Sequence, residues 1–169
     1  MRRPNVDEYQ GYFQTYVDAV DGNDMIAAQE KGSLETMNFL ENLPVEKGNF
    51  RYAEGKWSIK EIILHLSDSE RVFCYRALRF ARGDKTDLPG YDHDKYVTES
   101  SAENRSLAEI AREFAATRKA TIELFKSFDN ETLDRRGTAN GFEISVRAIG
   151  FVIAGHEAHH LKVIKERYL

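Results

Sequence analysis

The residues best placed to do chemistry in this chain are histidines, and three of its five fall in Gly155-His156-Glu157-Ala158-His159-His160. On an α-helix, positions four apart share a face with Cβ atoms about 6 Å apart, so His156 and His160 can present ring nitrogens to one cation. His159 is predicted to point elsewhere. Val146, Ile149, Ile153, His156, His160 and Val163 follow the three-and-four spacing of a bundle seam, which puts both histidines at inward positions. Two neutral imidazoles one turn apart in a core are hard to satisfy by hydrogen bonds alone, whereas a divalent cation satisfies both at once.

Two ligands from one helix leave such a cation short, because open zinc-type sites hold three protein ligands plus a water or substrate. His65 is the third candidate. It stands among Ile62, Ile63, Leu64 and Leu66 in another helical segment, where a lone histidine would be an awkward guest. Asp68, three residues after His65, and Glu157, directly after His156, are the carboxylates placed by sequence to orient a ligand or handle a proton. His93, in Tyr91-Asp92-His93-Asp94, reads as an exposed turn residue. His156-Glu157-x-x-His160 also matches the zinc-protease pattern in which the glutamate is the general base. That match is short, only nine residues follow His160, and a helical chain lacks the edge strand a protease cleft offers.

The elements that must hold these residues are helical. The chain has three prolines and long stretches of period near 3.6, so the predicted fold is an all-α bundle of four long helices in a single domain. A tyrosine-rich lead-in, Tyr9 to Val20, is predicted as a short helix lying across the bundle. The first long helix spans roughly Asp24 to Leu43 and stops near Pro44. The second begins at the capping box Ser58-Ile59-Lys60-Glu61, with Trp57 and Ile62 as its hydrophobic staple, and runs to about Arg82 before Gly83. A polar connection, Asp84 to Ser101, follows. The third starts at a second capping box, Ser106 to Glu109, and continues along a seam to Phe128. Asp129 to Glu143, with the turn pair Asn140-Gly141, reads as a connection, and the last helix fills Ser145 to Tyr168.

Composition narrows the function. A formal net charge of −4, with Lys and Arg scattered, argues against nucleic acid as a partner. No run approaches the roughly 18 apolar residues of a membrane span. The single cysteine, Cys74, forms no intrachain disulfide and reads as a buried structural thiol, and the N-terminal segment has no apolar signal core, so a cytoplasmic location is expected.

Trp57-Ser58-x-Lys60-Glu61-x-x-x-His65-Leu66-x-Asp68-x-Glu70 in the second helix and Gly155-His156-Glu157-x-His159-His160-Leu161 in the last resemble the DinB/YfiT-like superfamily of metalloenzymes. The resemblance extends over nearly the whole chain, including Tyr9, Tyr12 and Tyr16 and the loop Pro89-Gly90-Tyr91-Asp92. It implies a four-helix bundle with up-down-down-up connectivity, with His65, His156 and His160 as metal ligands, and a homodimer. Some relatives transfer or rearrange groups using a low-molecular-weight thiol.

The leading expectation is therefore a metal-dependent thiol S-transferase acting on a small-molecule substrate. Zinc is the first choice of cation, with nickel, iron or manganese as alternatives, and the thiol is a cosubstrate. A hydrolase using metal-activated water, with Glu157 or Asp68 managing the proton, is the alternative. A non-catalytic bundle with a structural metal is the third reading.

Overall fold

The computed structural model describes residues 2–169. Four long helices form the bundle: α2 (Met25–Asn42), α3 (Ile59–Ala81), α5 (Leu107–Lys126) and α7 (Val146–Arg167). Each begins where a side chain satisfies the orphan amides of its first turn. Asp24 accepts from the amides of Ile26 and Ala27, and Ser145 accepts from that of Ala148. Ser58 and Ser106 form the two predicted capping boxes with Glu61 and Glu109. At the far end of α3, Gly83 takes the left-handed conformation (φ 80°) that lets the chain leave the helix.

Each of α2 and α3 packs on both α5 and α7, which places α2 and α3 on one diagonal of the bundle. Contacts between chain-distant residues give the directions. Gln29 meets Gly150 and Thr36 meets Glu157, so α2 and α7 run parallel. Glu70 meets Arg118 and Cys74 meets Thr121, so α3 and α5 also run parallel. His65 lies against the far half of α7, so α3 and α7 are antiparallel. This is the up-down-down-up order, and the segment after Arg82 must cross the length of the bundle to make it.

That crossing segment and the segment before α7 are more structured than the sequence suggested. Asp84 to Ser101 contains α4 (His93–Glu99), capped by Asp92, which accepts from the amide of Lys95. The stretch from Asp129 holds α6 (Asn130–Asp134) and an antiparallel hairpin that runs past Glu143 to the start of α7, β1 (Arg136–Ala139) with β2 (Phe142–Ser145), in register Gly137 to Ile144. Asn140 and Gly141 turn it with φ of 55° and 77°, the two positive values such a two-residue turn requires. The all-α expectation thus stands with a two-stranded addition. The hairpin docks on the crossing segment: Leu88 donates its amide to the Thr138 carbonyl (3.0 Å) and accepts from the amide of Asn140 (2.8 Å).

The lead-in forms a 3-10 turn at Gly11–Phe13 and the short α1 (Gln14–Asp18), which lies on α7. The approach is close, since a Cβ on Gly155 would sit 1.7 Å from the Tyr16 carbonyl oxygen. With α1 covering the side the other helices leave open, α7 is buried on all sides from Val146 to Glu157. No helix among the described residues is long and apolar enough to cross a membrane.

Candidate metal centre

His65 projects from α3 and His156 and His160 from α7, and their Nε2 atoms converge. His156 Nε2 lies 3.1 Å from both His65 Nε2 and His160 Nε2. One ligand atom from each of the three comes within 4.8 Å of the others. An imidazole nitrogen carries either one proton or one lone pair, so His156 Nε2 can make a hydrogen bond with only one of its two neighbours. The leftover contact is an unsatisfied polar approach in the core, which a cation at the centre of the three lone pairs resolves. The donor set fits a divalent metal.

Burial keeps the cluster in the protonation state that a metal needs. Desolvation, with a further push from His93, lowers the His65 pKa to about 4, and desolvation with repulsion from His65, His159 and His93 lowers that of His160 to about 3. His156 is held well below the ordinary histidine value by burial and then by its histidine neighbours. The rings are therefore neutral at pH 7.

Ser69, one turn after His65, has its Oγ 3.4 Å from His65 Nδ1 and accepts from the Tyr91 hydroxyl at 2.8 Å. In the tautomer that leaves Nε2 free toward the cluster, His65 Nδ1–H donates to Ser69 Oγ, and Tyr91 orients that serine. Burial pushes the Tyr91 phenol up, which keeps it a donor. Trp57 stands 4.7 Å from the His65 ring centroid and is stacked 6.4 Å from that of His160, while Tyr16 meets His156 edge-on at 5.1 Å.

The cluster forms one wall of a cavity of about 520 Å³. The lead-in, the crossing segment and the hairpin supply the other walls through residues such as Tyr12, Tyr91 and Phe142. The structure gives His159 a place different from the sequence expectation: it lines this cavity and packs on Tyr16 at 5.5 Å. His93 is exposed as expected, yet it too reaches the cavity wall, 5.8 Å from the His65 ring.

The two carboxylates singled out from the sequence are not brought to the cluster. Glu157, 1% exposed, points to the opposite side of α7, where it accepts from Thr36 Oγ1 at 2.7 Å and pairs with Arg118. Burial raises its pKa against the pull of Arg118. Asp68 pairs with Arg71 of its own helix at 3.0 Å, its pKa raised by partial burial. For Glu157 the reason is geometric: one position off a seam turns a side chain by about 100°. On an all-round buried helix that direction leads into a second part of the core. Cys74 is half-buried rather than fully buried. Its Sγ lies 3.2 Å from Thr121 Oγ1, and desolvation raises its pKa to about 11.

Ser69, Tyr91, Arg76 and His159 went unrecognised in the sequence. A usable signal existed for two of them, because Ser69 and Arg76 fall on the His65 face of α3 at turn-by-turn spacing. The hairpin was signalled by Asn140-Gly141, the dipeptide that most strongly marks such turns.

Residues 33–164 match the model of the DinB superfamily. The chain belongs to that superfamily. This DinB protein is 29% identical over 134 residues to an inferred metal-dependent hydrolase of Oceanobacillus iheyensis, covering 78% of this chain and 74% of the relative. Its fold is that of YfiT from Bacillus subtilis, described as a probable metal-dependent hydrolase with an unusual four-helix bundle topology. The TM-score is 0.70 at 13% identity over 97% of this chain and 90% of YfiT. A mycothiol-dependent maleylpyruvate isomerase also superposes, with TM-score 0.66 at 10% identity over 82% of this chain and 58% of the isomerase. At these identities the DinB bundle is what the two structures share with this protein.

Proposed function

We propose that this DinB protein is a metal-dependent enzyme whose His65, His156 and His160 hold a divalent cation, zinc by preference, and that it joins a low-molecular-weight thiol to an electrophilic small molecule. The observation that carries the choice is that no carboxylate among the described residues joins the three histidines. Both candidate carboxylates, Glu157 and Asp68, are paired with arginines elsewhere in the bundle. Water is far less acidic than a thiol and depends more on a strong base in the site, whereas a thiol ionises with electrostatic help and a weak proton acceptor. A cation held by three neutral imidazoles keeps its full positive charge and lowers the pKa of a thiol placed beside it.

The protein's own side chains do the remaining work. Ser69 and Tyr91 hold His65 in the tautomer that points Nε2 at the centre. Trp57 and Tyr16 pack against the rings. His93 and His159, at the cavity wall, are placed to take the thiol proton. The sulfur then forms a bond to the electrophilic carbon, and the leaving group departs with the bonding pair. The name of the mycothiol-dependent structural neighbour is consistent with this chemistry.

The names of the Oceanobacillus and Bacillus relatives favour a second reading, hydrolysis, with His93 or His159 as the base. One experiment separates the two. Zinc-loaded protein is offered 1-chloro-2,4-dinitrobenzene with glutathione, cysteine, bacillithiol or mycothiol, and separately a panel of aryl esters without thiol. Zinc-dependent conjugation that is lost in His156→Ala supports thiol transfer. Zinc-dependent ester cleavage without conjugation replaces it with hydrolysis.

A further inference from the structure

The cavity that opens on the three histidines holds a cation of its own. Arg76 lies on the face of α3 that carries His65, Ser69 and Phe73, eleven residues beyond His65 and so about 16 Å along the helix axis. It is 8% exposed. Its Nη2 donates to the Pro89 carbonyl at 2.9 Å, and its guanidinium carbon sits 5.9 Å from the Tyr91 ring centroid. Among the described residues, Nε and Nη1 have no protein acceptor and no carboxylate pairs with the group. The phenols of Tyr91 and Tyr12 are the ionisable groups that act on its charge. The one carboxylate that the described residues place in the cavity wall, Glu143, is tied to Arg136 at 3.1 Å.

The other two buried arginines are neutralised. Arg118 lies between Glu70 and Glu157, and Arg147 meets Asp134 at 2.8 Å. A guanidinium held in a cavity wall without an anion leaves its fork of donors free for a planar carboxylate. Arg76 is thus the exception, and it stands in the wall of a cavity whose size suits a small organic ligand. Phe13, Tyr16 and Phe73 line the space between it and the histidines.

We propose that Arg76 determines specificity by binding the carboxylate of the substrate, a small organic acid whose apolar body lies along the aromatic wall and whose reacting end meets the three histidines. The placing of the reacting end rests on the enzyme reading above, whereas the charge recognition does not require a metal.

The test is calorimetric binding of 4-phenylbutanoate and of its neutral amide to the parent, Arg76→Gln and Arg76→Lys, each with zinc and after chelation. A charge-assisted pair in a desolvated site is expected to favour the acid by about tenfold over the amide in the parent. That preference should survive chelation, collapse in Arg76→Gln and persist in part in Arg76→Lys, with amide binding and the circular dichroism spectrum unchanged. Equal affinity for acid and amide in the parent overturns the proposal, with no variant needed. A preference that survives Arg76→Gln but disappears on chelation also overturns it, assigning the anion to the metal. A preference lost in Arg76→Gln yet indifferent to zinc upholds the Arg76 site even where no metal-dependent turnover is found, so the two readings fail separately.

Discussion

Arg118 is the residue whose removal should do the most damage. It is 1% exposed and joins three helices: Nε and Nη2 donate to the Glu70 carboxylate of α3 at 2.9 and 2.7 Å, and Nη1 donates to the Gln29 carbonyl of α2 at 3.1 Å and to Glu157 of α7. Glu70 is five residues beyond His65 and Glu157 adjoins His156, so this clamp also fixes the two helices that carry the histidines. In Arg118→Ala both carboxylates lose their counterion inside the core, Glu70 being 3% and Glu157 1% exposed. Leaving them charged costs about 3–5 kcal/mol, the usual penalty for breaking a buried pair. Protonating one instead, from a glutamate value near 4.3 to pH 7, costs about 4 kcal/mol at 1.36 kcal/mol per unit. Both routes give a similar figure, which corresponds to a drop in Tm of roughly 6–20 °C for a chain of this length.

The sign of the pH dependence follows from the same argument. The stranded carboxylates have folded pKa values above their unfolded ones, so between about pH 4.3 and the raised value the native state holds protons that the unfolded state has released. Stability of the variant relative to the parent should therefore fall as pH rises from 5 to 8. Urea midpoints followed by circular dichroism at those two pH values measure it. Arg118→Met combined with Glu70→Gln and Glu157→Gln, which removes the stranded charges, should recover most of the loss. A cost below about 1 kcal/mol for Arg118→Ala, or one that does not change with pH, would refute the assignment of a clamp.

Other outcomes follow from the same geometry. Metal content by mass spectrometry should be near stoichiometric in the parent and in His159→Ala, and lost in His65→Ala, His156→Ala and His160→Ala. Because burial already holds His65 near pKa 4 and His160 near 3, zinc binding at pH 7 should release well under one proton, read by calorimetry in two buffers of different ionisation heat. These lowered values also mean that the unfolded chain takes up protons first on acidification. The chelated protein should therefore lose stability as pH falls from about 6.5 toward 4, and a urea midpoint constant over that window would contradict it. Gly155→Ala should destabilise by about 1–3 kcal/mol and disturb the cluster, because its Cβ meets backbone rather than a movable side chain. Cys74, with its thiol pushed up to about 11, should react with iodoacetamide at pH 8 far more slowly than free cysteine.

The sequence by itself determined the parts of this protein that depend on local spacing. Capping boxes at Ser58 and Ser106 located two helix starts, since their partners lie three residues away on the same strand of chain. The four-residue interval of His156 and His160 put two imidazoles on one face, and the apolar run around His65 marked it as the third member of the group that the fold assembles. Only the tertiary structure decided where everything else points. Glu157 is adjacent to His156 in sequence and faces away from it, because α7 is buried all round and a one-residue step leads to Arg118 and Thr36 instead of to the cavity. Tyr91 and the hairpin come to the cavity through connections whose path no local pattern specifies. Burial, which sets the protonation of the cluster and leaves Arg76 without an anion, is a property of how elements pack, and periodicity along one helix records only which face turns inward.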